Sequence, residues 1–325
     1  MKQKFTIEPA PMAGYTDLAF RKVLRKCGAT VTWTEMISVT ALFHNSTKTK
    51  NMLGVIARSS RRSNPAYKNT VVQLFGHNPA HFDAVIKSGA LDNFHEININ
   101  MGCPARKITS NGDGCALMKN PNVAREIIET CVRASKRSVS VKMRLGFAPN
   151  DRASDFFEES LRSHSEKESD VLSYAVEFAK MCESAGASRV VVHGRYGTQG
   201  YSGTADWNAI AEVVRALKIP VVANGDVKDA EHAKECIKQT GAAGVMICRA
   251  LIGAPWVLLP RHASRATPSF RRGIINYHLA HADNILEMRK HLVAYANHLP
   301  NSKDLKKRLA LVNSKEEVRR ILQSD

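Results

Sequence analysis

Seven short clusters of residues able to bind, donate protons or hold charge are spaced along this chain, and each ends an apolar run. They are Ala10-Pro11-Met12-Ala13-Gly14, Gln73-Leu74-Phe75-Gly76, Asn98 through Asn100 and Gly102 to Cys103-Pro104, Lys142 with Arg144, His193-Gly194-Arg195, Asn224-Gly225-Asp226, and Cys248-Arg249. Cys103 carries the most chemistry. It falls on a loop between Gly102 and Pro104, where it could act as nucleophile or as proton donor. An unperturbed thiol titrates near about 8.5, so at neutral pH it is mostly protonated and can serve as an acid. No His, Asp or Glu adjoins it in sequence, which argues against an activated thiolate nucleophile. Cys27, Cys131, Cys182 and Cys236 sit within apolar patterns and read as buried hydrophobes instead.

Lys142 and His193 would point into a common mouth. A lysine buried there needs an anionic partner, because an unpaired buried charge is costly. That partner is either the electron-rich edge of a reduced flavin or a carboxylate such as Glu35 or Glu96. Asn224-Gly225-Asp226 and the turn after Cys248-Arg249 offer backbone N–H groups at the start of helices, the usual place for a phosphate. Asn-Gly alone would read as no more than a turn.

These clusters need a frame that brings strand ends together. Eight apolar runs supply it: Phe5–Ala10, Val31–Met36, Val71–Gly76, Phe94–Gly102, Val139–Gly146, Arg189–Arg195, Val221–Asp226 and Gly244–Ala250. Most are apolar throughout, as parallel strands covered on both faces are. Helical spacing fills the gaps, for example Phe20, Val23, Leu24 and Cys27, or Phe82, Val85, Ile86 and Gly89. Asn78-Pro79, Asn120-Pro121 and Asp229 mark helix starts, and Gly28, Gly89, Gly186 and Gly241 mark helix ends. The count predicts an α/β fold, a (β/α)₈ TIM barrel over residues 1–260, with a doubly wound sheet as the alternative. In such a barrel the reactive groups gather at the C-terminal ends of the strands, where all seven clusters fall.

The alternation stops after Pro260, and residues 261–325 read as a small helical domain with helices at 274–299 and 303–323. That segment holds 13 Lys/Arg against 6 Asp/Glu. Formal charge for the whole chain is +17, with an isoelectric point near 9.7, which points to a polyanionic partner, nucleic acid foremost. Segment 46–70 carries six basic and no acidic residues, and reads as a loop that touches nucleic acid. Segment 148–170 leans acidic and reads as a surface insertion. The start MKQKFTIEPAPMAG has no apolar stretch of the signal-peptide kind, and no run is long enough to span a membrane. Seven cysteines, an odd number with no CxxC pair, suggest no disulfide framework, no metal site and a reducing, cytoplasmic compartment.

Taken with Tyr15-Thr16-Asp17, Gly114-Cys115-Ala116-Leu117-Met118 and Val141-Lys142-Met143-Arg144, the clusters resemble the tRNA-dihydrouridine synthase family, nearest its bacterial B-type branch. The similarity runs over about residues 5–260 and continues more faintly through Met288-Arg289-Lys290-His291. The resemblance implies an FMN-containing barrel, NADPH as reductant, tRNA as substrate and a helical domain that helps hold the tRNA; apart from the resemblance, a monomer is expected. By matching position, Cys103 would donate the proton. The flavin ring would rest against Pro11, Met12 and Ala13 and be contacted by Gln73, Lys142 and His193. Its phosphate would lie on Asn224, Gly225 and Asp226 with Cys248 and Arg249, while Asn100 and Arg144 would face the uracil. Two features depart from the family: Cys248 stands where a glycine is usual, and the acidic insertion is long. Two other readings remain. One is a flavin barrel acting on a free pyrimidine, as dihydroorotate dehydrogenases do. The other is a tRNA-binding protein without catalysis.

Overall fold

A computed structural model describes residues 5–53, 69–151, 174–259 and 267–323. The basic residues Arg58, Arg61, Arg62 and Lys68, most of the acidic insertion, and the expected boundary at residue 260 lie outside the described residues.

Eight strands form one parallel sheet: β1 (Thr6–Pro9), β2 (Thr32–Ser38), β3 (Thr70–Phe75), β4 (Glu96–Met101), β5 (Ser138–Arg144), β6 (Val190–His193), β7 (Val221–Asn224) and β8 (Gly244–Ile247). The order β1-β8-β7-β6-β5-β4-β3-β2 puts the first two strands at a common seam, where Trp33 Nε1 donates to Glu8 Oε2 at 3.0 Å. The chain is a (β/α)₈ barrel followed by C-terminal helices, and not a doubly wound sheet. In chain order the helices are α1 (Leu18–Lys26), α2 (Val39–Phe43), α3 (Thr47–Met52), α4 (Pro79–Lys87), α5 (Arg106–Thr109), α6 (Pro121–Ala134), α7 (Tyr174–Ser184), α8 (Trp207–Ala216) and α9 (Ala230–Thr240). The tail adds α10 (Pro268–His281), α11 (Ile285–Ala296), α12 (Ser302–Leu309) and α13 (Lys315–Gln323).

Three expectations are revised. Each predicted tail helix is two helices. The first breaks at Ala282–Asn284, where Asn284 Oδ1 caps a new helix by accepting from Leu286 N–H at 2.9 Å. The second breaks before Ser314, where Asn313 N–H donates to Glu317 Oε2 at 2.6 Å. A polar side chain that can satisfy orphan backbone groups makes a break cheap. Within the basic segment, residues 47–52 form a helix rather than a loop, capped by Ser46. Asn78 and Asp229 cap their helices through the side chain as expected, whereas Asn120 makes no such bond.

The core has two parts. A large apolar cluster lies between strands and helices, and a small one inside the barrel joins Ala10, Trp33, Val71, Val191, Val222 and Met246. The tail belongs to the large cluster through Ile274, Leu279, Met288, Leu292 and Tyr295, and α10 packs on α1. Strand β4 shows how the barrel sorts its residues. Ile97, Ile99 and Met101 join the outer core, while Glu96, Asn98 and Asn100 take the alternate positions. Buried polar groups must be paired, and here they form a continuous column. Arg189 binds Glu8 at 2.6 Å and Glu96 at 3.1 Å. Ser140 links Glu96 to Asn98, which accepts from Gln73 Nε2 at 2.8 Å; Gln73 Oε1 accepts in turn from Asn100 Nδ2 at 2.9 Å. Burial works against the Arg189 charge, but Glu8 and Glu96 outweigh it and hold the guanidinium above its ordinary pKa. Arg189→Ala would leave two buried carboxylates without a cation and is expected to cost about 3–5 kcal/mol. A urea midpoint equal to that of the parent protein would show that this ion cluster does not tie the strands together.

Candidate active site at the barrel mouth

The column ends at the loop that carries Cys103. Asn100 Oδ1 accepts from the backbone N–H groups of Gly102 at 3.1 Å and Cys103 at 2.9 Å, so the last inward residue of β4 fixes where the thiol sits. From the other side, Cys115 N–H donates to the Cys103 carbonyl at 3.0 Å. Gly114, at φ +60°, lies so close that a Cβ there would meet the Cys103 carbonyl oxygen at 2.8 Å. Cys103 is partly exposed as a residue, whereas Cys115 is buried, its thiol pushed up to about 12 by burial. Of the two cysteines that meet here, Cys103 is the more exposed.

Lys142 stands beside Asn100 in the β4–β5 register. Its Nζ donates to Asn224 Oδ1 at 2.9 Å, and Asn224 Nδ2 donates to the Met246 carbonyl at 3.0 Å. Neither expected carboxylate pairs with it: Glu35 accepts from Gly14 N–H, and Glu96 serves Arg189 and Ser140. Burial, with Arg144 nearby, pulls the Lys142 ammonium down to about 8. Arg144 is also without a carboxylate among the described residues; it donates to the carbonyls of Gly102, Tyr196 and Gly200 at 2.7–2.8 Å. His193 is held down to about 2 by burial and then by Lys142, Arg144, Arg195 and Arg249, so its imidazole is neutral. Its Nε2 faces Arg195 Nη1 at 3.3 Å, which fits an acceptor there and the proton on Nδ1.

The turn after β7 is built by a residue that the motif contained but no role singled out. Arg195, 1% exposed, donates twice to the Asp226 carboxylate at 2.8 and 2.9 Å. Asp226 also accepts from Ala205 N–H at 2.7 Å and from Arg249 at 3.1 Å. Burial opposes its charge, but the Ala205 N–H and the two arginines hold the carboxyl below its ordinary range. Its negative charge is therefore spent within the protein. Gly225 has φ +125°, and a Cβ there would meet Ala205 Cβ at 2.5 Å, so only glycine lets these loops close. Cys248 flanks Lys142, with its thiol pushed up by burial, and Arg249 stays exposed on the rim.

The residues read from sequence thus converge on one mouth, with differences of detail. Met12 is buried under the β1 loop, while Pro11 and Ala13 are more open. Gln73 lies deeper, 1% exposed, between Asn98 and Asn100. Tyr201 was not foreseen. It is 58% exposed, and its ring lies 5.6 Å from both Arg144 and Arg249, forming an aromatic lip. The one sequence hint was an aromatic flanked by Gly200 and Gly203. The arrangement can hold an anion beside a partly exposed cysteine, and its charge excess is positive. Among the described residues no group of three His, Cys, Asp or Glu could hold a metal ion, and no helix is long and apolar enough to cross a membrane.

Residues 8–325 match the family model described as "Dihydrouridine synthase (Dus)". The chain is 32% identical to a probable tRNA-dihydrouridine synthase 1 of Synechocystis, over 96% of this chain and 84% of that protein. It is 39% identical to a probable tRNA-dihydrouridine synthase of Rhodobacter capsulatus, over 77% of this chain and 68% of that one. Similarity to tRNA-dihydrouridine synthase B of Pseudomonas aeruginosa is 33%, over 76% and 66%.

Proposed function

The chain belongs to the dihydrouridine synthase family, and we propose that it reduces specific uridines of tRNA to 5,6-dihydrouridine, using FMN and NADPH. The observation that carries this reading is the pairing of an unneutralised buried cation, Lys142, with a partly exposed cysteine, Cys103, at one barrel mouth.

The mouth suits a flavin mononucleotide in its donor chemistry. Among the described residues Lys142 has only a neutral amide as hydrogen-bond partner, His193 is neutral, and the carboxylate of the neighbouring turn, Asp226, is already neutralised. Such a set accepts an anion without repelling it. Pro11, Met12 and Ala13 would support the ring and Gln73, Lys142 and His193 would contact it. The turn Asn224-Gly225-Asp226 with Cys248 and Arg249 would hold the phosphate. Bound and reduced, this group supplies the hydride that the C6 position of the base requires.

The rest is done by the chain. Asn100 has one amide hydrogen beyond that given to Gln73, and Arg144, which shares Gly102 with it, keeps Nη2 beyond the nitrogens given to carbonyls, so both can hold the uracil carbonyl oxygens. Negative charge builds on the ring as C6 is reduced, and Lys142 with Arg144 stabilises it electrostatically. Cys103 gives its proton to C5, which saturates the C5–C6 bond. Pulling the base from a folded RNA costs a few kcal/mol, offset by phosphate contacts along the basic surface. Tail helix α12, with Lys306, Lys307 and Arg308, and the basic segment 46–70 would provide them, with 1–260 as catalytic and 261–325 as RNA-binding regions. The seven unpaired cysteines suit a reducing compartment, and we place the protein in the cytoplasm as a monomer. Purified protein should be yellow, and tRNA from a strain lacking the gene should miss dihydrouridine at defined positions. A colourless protein, or an unaltered tRNA modification map, would sink the assignment.

A further inference from the structure

Beside the mouth, on the rim between the exits of β4 and β5, lies a cleft of about 560 Å³ lined by Arg106, Ser110, Lys119, Asn120 and Phe147. Nothing in the chemistry above uses it. We propose that this cleft binds the backbone phosphate of a nucleotide adjoining the one whose base enters the mouth, an inference that rests on the RNA substrate proposed above.

Three observations support it. The first is charge. Arg106 and Lys119 both line the cleft, no carboxylate does, and neither cation has an acidic partner among the described residues. Asp151, in the adjoining turn, is committed to the N–H groups of Phe147 and Ala148 at 2.6 and 2.8 Å. The second is orientation. Lys119 Nζ lies 4.8 Å from the centre of the Phe147 ring, so the aromatic face holds the ammonium at the cleft wall. The third is position. Arg106 follows Cys103 by three residues, and Phe147 follows Arg144 by three. The short 3₁₀ turn Gly114–Lys119, which carries Lys119, also supports the Cys103 loop through Cys115. Cleft and thiol therefore share one scaffold. Ser110 and Asn120 add neutral donors suited to phosphate or ribose oxygens.

The test is equilibrium binding of unmodified tRNA to the full-length protein across a range of salt concentrations. It compares the parent protein, Arg106→Ala/Lys119→Ala, and the charge-matched control Lys87→Ala/Lys136→Ala at the other end of the barrel. The cleft double variant is expected to bind about tenfold more weakly at about 0.1 M salt, with the slope of log K against log salt reduced by about one, as for the loss of one phosphate contact. Its flavin content and its KM for NADPH should match the parent, as should the control in every respect. Parent-like affinity and slope in the cleft variant would overturn the proposal. So would a raised KM for NADPH with tRNA binding intact, which would give the cleft to the reductant. If the parent binds tRNA and the variant does not, yet no dihydrouridine forms, the reaction assigned above fails while the RNA site stands.

Discussion

Cys103→Ala should lower dihydrouridine formation by about 10²–10⁴-fold, the span expected when a general acid is removed, while flavin stays bound. The substitution deletes one sulfur and leaves its setting in place. Asn100 still caps the loop through the N–H groups of Gly102 and residue 103, and the carbonyl of residue 103 still accepts from Cys115. No part of the anion-holding set around Lys142, Asn224 and Arg249 is touched. Cys115→Ala is the contrasting case. That thiol is pushed up to about 12 by burial and donates weakly to the Gly146 carbonyl at 3.7 Å, so its loss should affect packing more than turnover. The two variants are separated by quantifying dihydrouridine after incubation with tRNA, alongside the flavin absorbance of each protein. Parent-level turnover in Cys103→Ala would remove the acid assignment and leave the proton to come from water.

Lys142→Met should weaken flavin binding by about 10–150-fold, the worth of a hydrogen bond to a charged group, and depress turnover with it. Methionine fills the same volume without the cation, so the barrel loses one charge and not its packing. A pH signature separates this role from a structural one. The ammonium of the ligand-free chain is charged below about 8, so affinity for an anionic group should fall as pH rises through that value and beyond. An anion bound there favours the charged form and moves the fall upward. Stability of the ligand-free chain runs the other way. A lysine whose folded pKa is depressed costs stability most below about 8, and the cost fades as pH rises towards the ordinary lysine value. Lys142→Met should abolish both trends, as read by flavin fluorescence and by urea midpoints at several pH values. His193 stays neutral in the fold throughout this range and adds nothing to the affinity trend; its unfolded form protonates below about 6.5, so it lowers stability only on the acid side of that value, outside the lysine window. Unchanged pH profiles in the variant would assign the anion to Arg144 or Arg249 instead.

Much of this was legible in the sequence. All eight strands occur where the apolar runs predict, within a few residues at each end, because a parallel strand covered on both faces leaves a continuous hydrophobic mark. The rim clusters follow from that alone, since a barrel strand delivers whatever follows it to the mouth. What could not be read was pairing between strands. Gln73 and Asn100 looked like two separate ligands for bound molecules. In the fold Gln73 sits in register with Asn98, and its amide is shared between Asn98 and Asn100. Arg195 looked like the end of a motif, but it neutralises Asp226, 31 residues away. Tail helices were overextended because the apolar stripe continues past Asn284, and the stripe hides a polar cap that stops one helix and starts another. Local spacing records which face is buried; it does not record which polar groups find each other.

By the reading proposed above, flavin and Cys103 act together at the mouth to reduce uracil within tRNA. The most direct measurement mixes purified protein, NADPH and tRNA lacking dihydrouridine, then counts dihydrouridine by mass spectrometry of the digested RNA, with free uridine as a parallel substrate. The expected result is a stoichiometric gain of two mass units at defined uridines of the tRNA, and no reaction with free uridine. Reduction of the free pyrimidine with the tRNA left unaltered would contradict it.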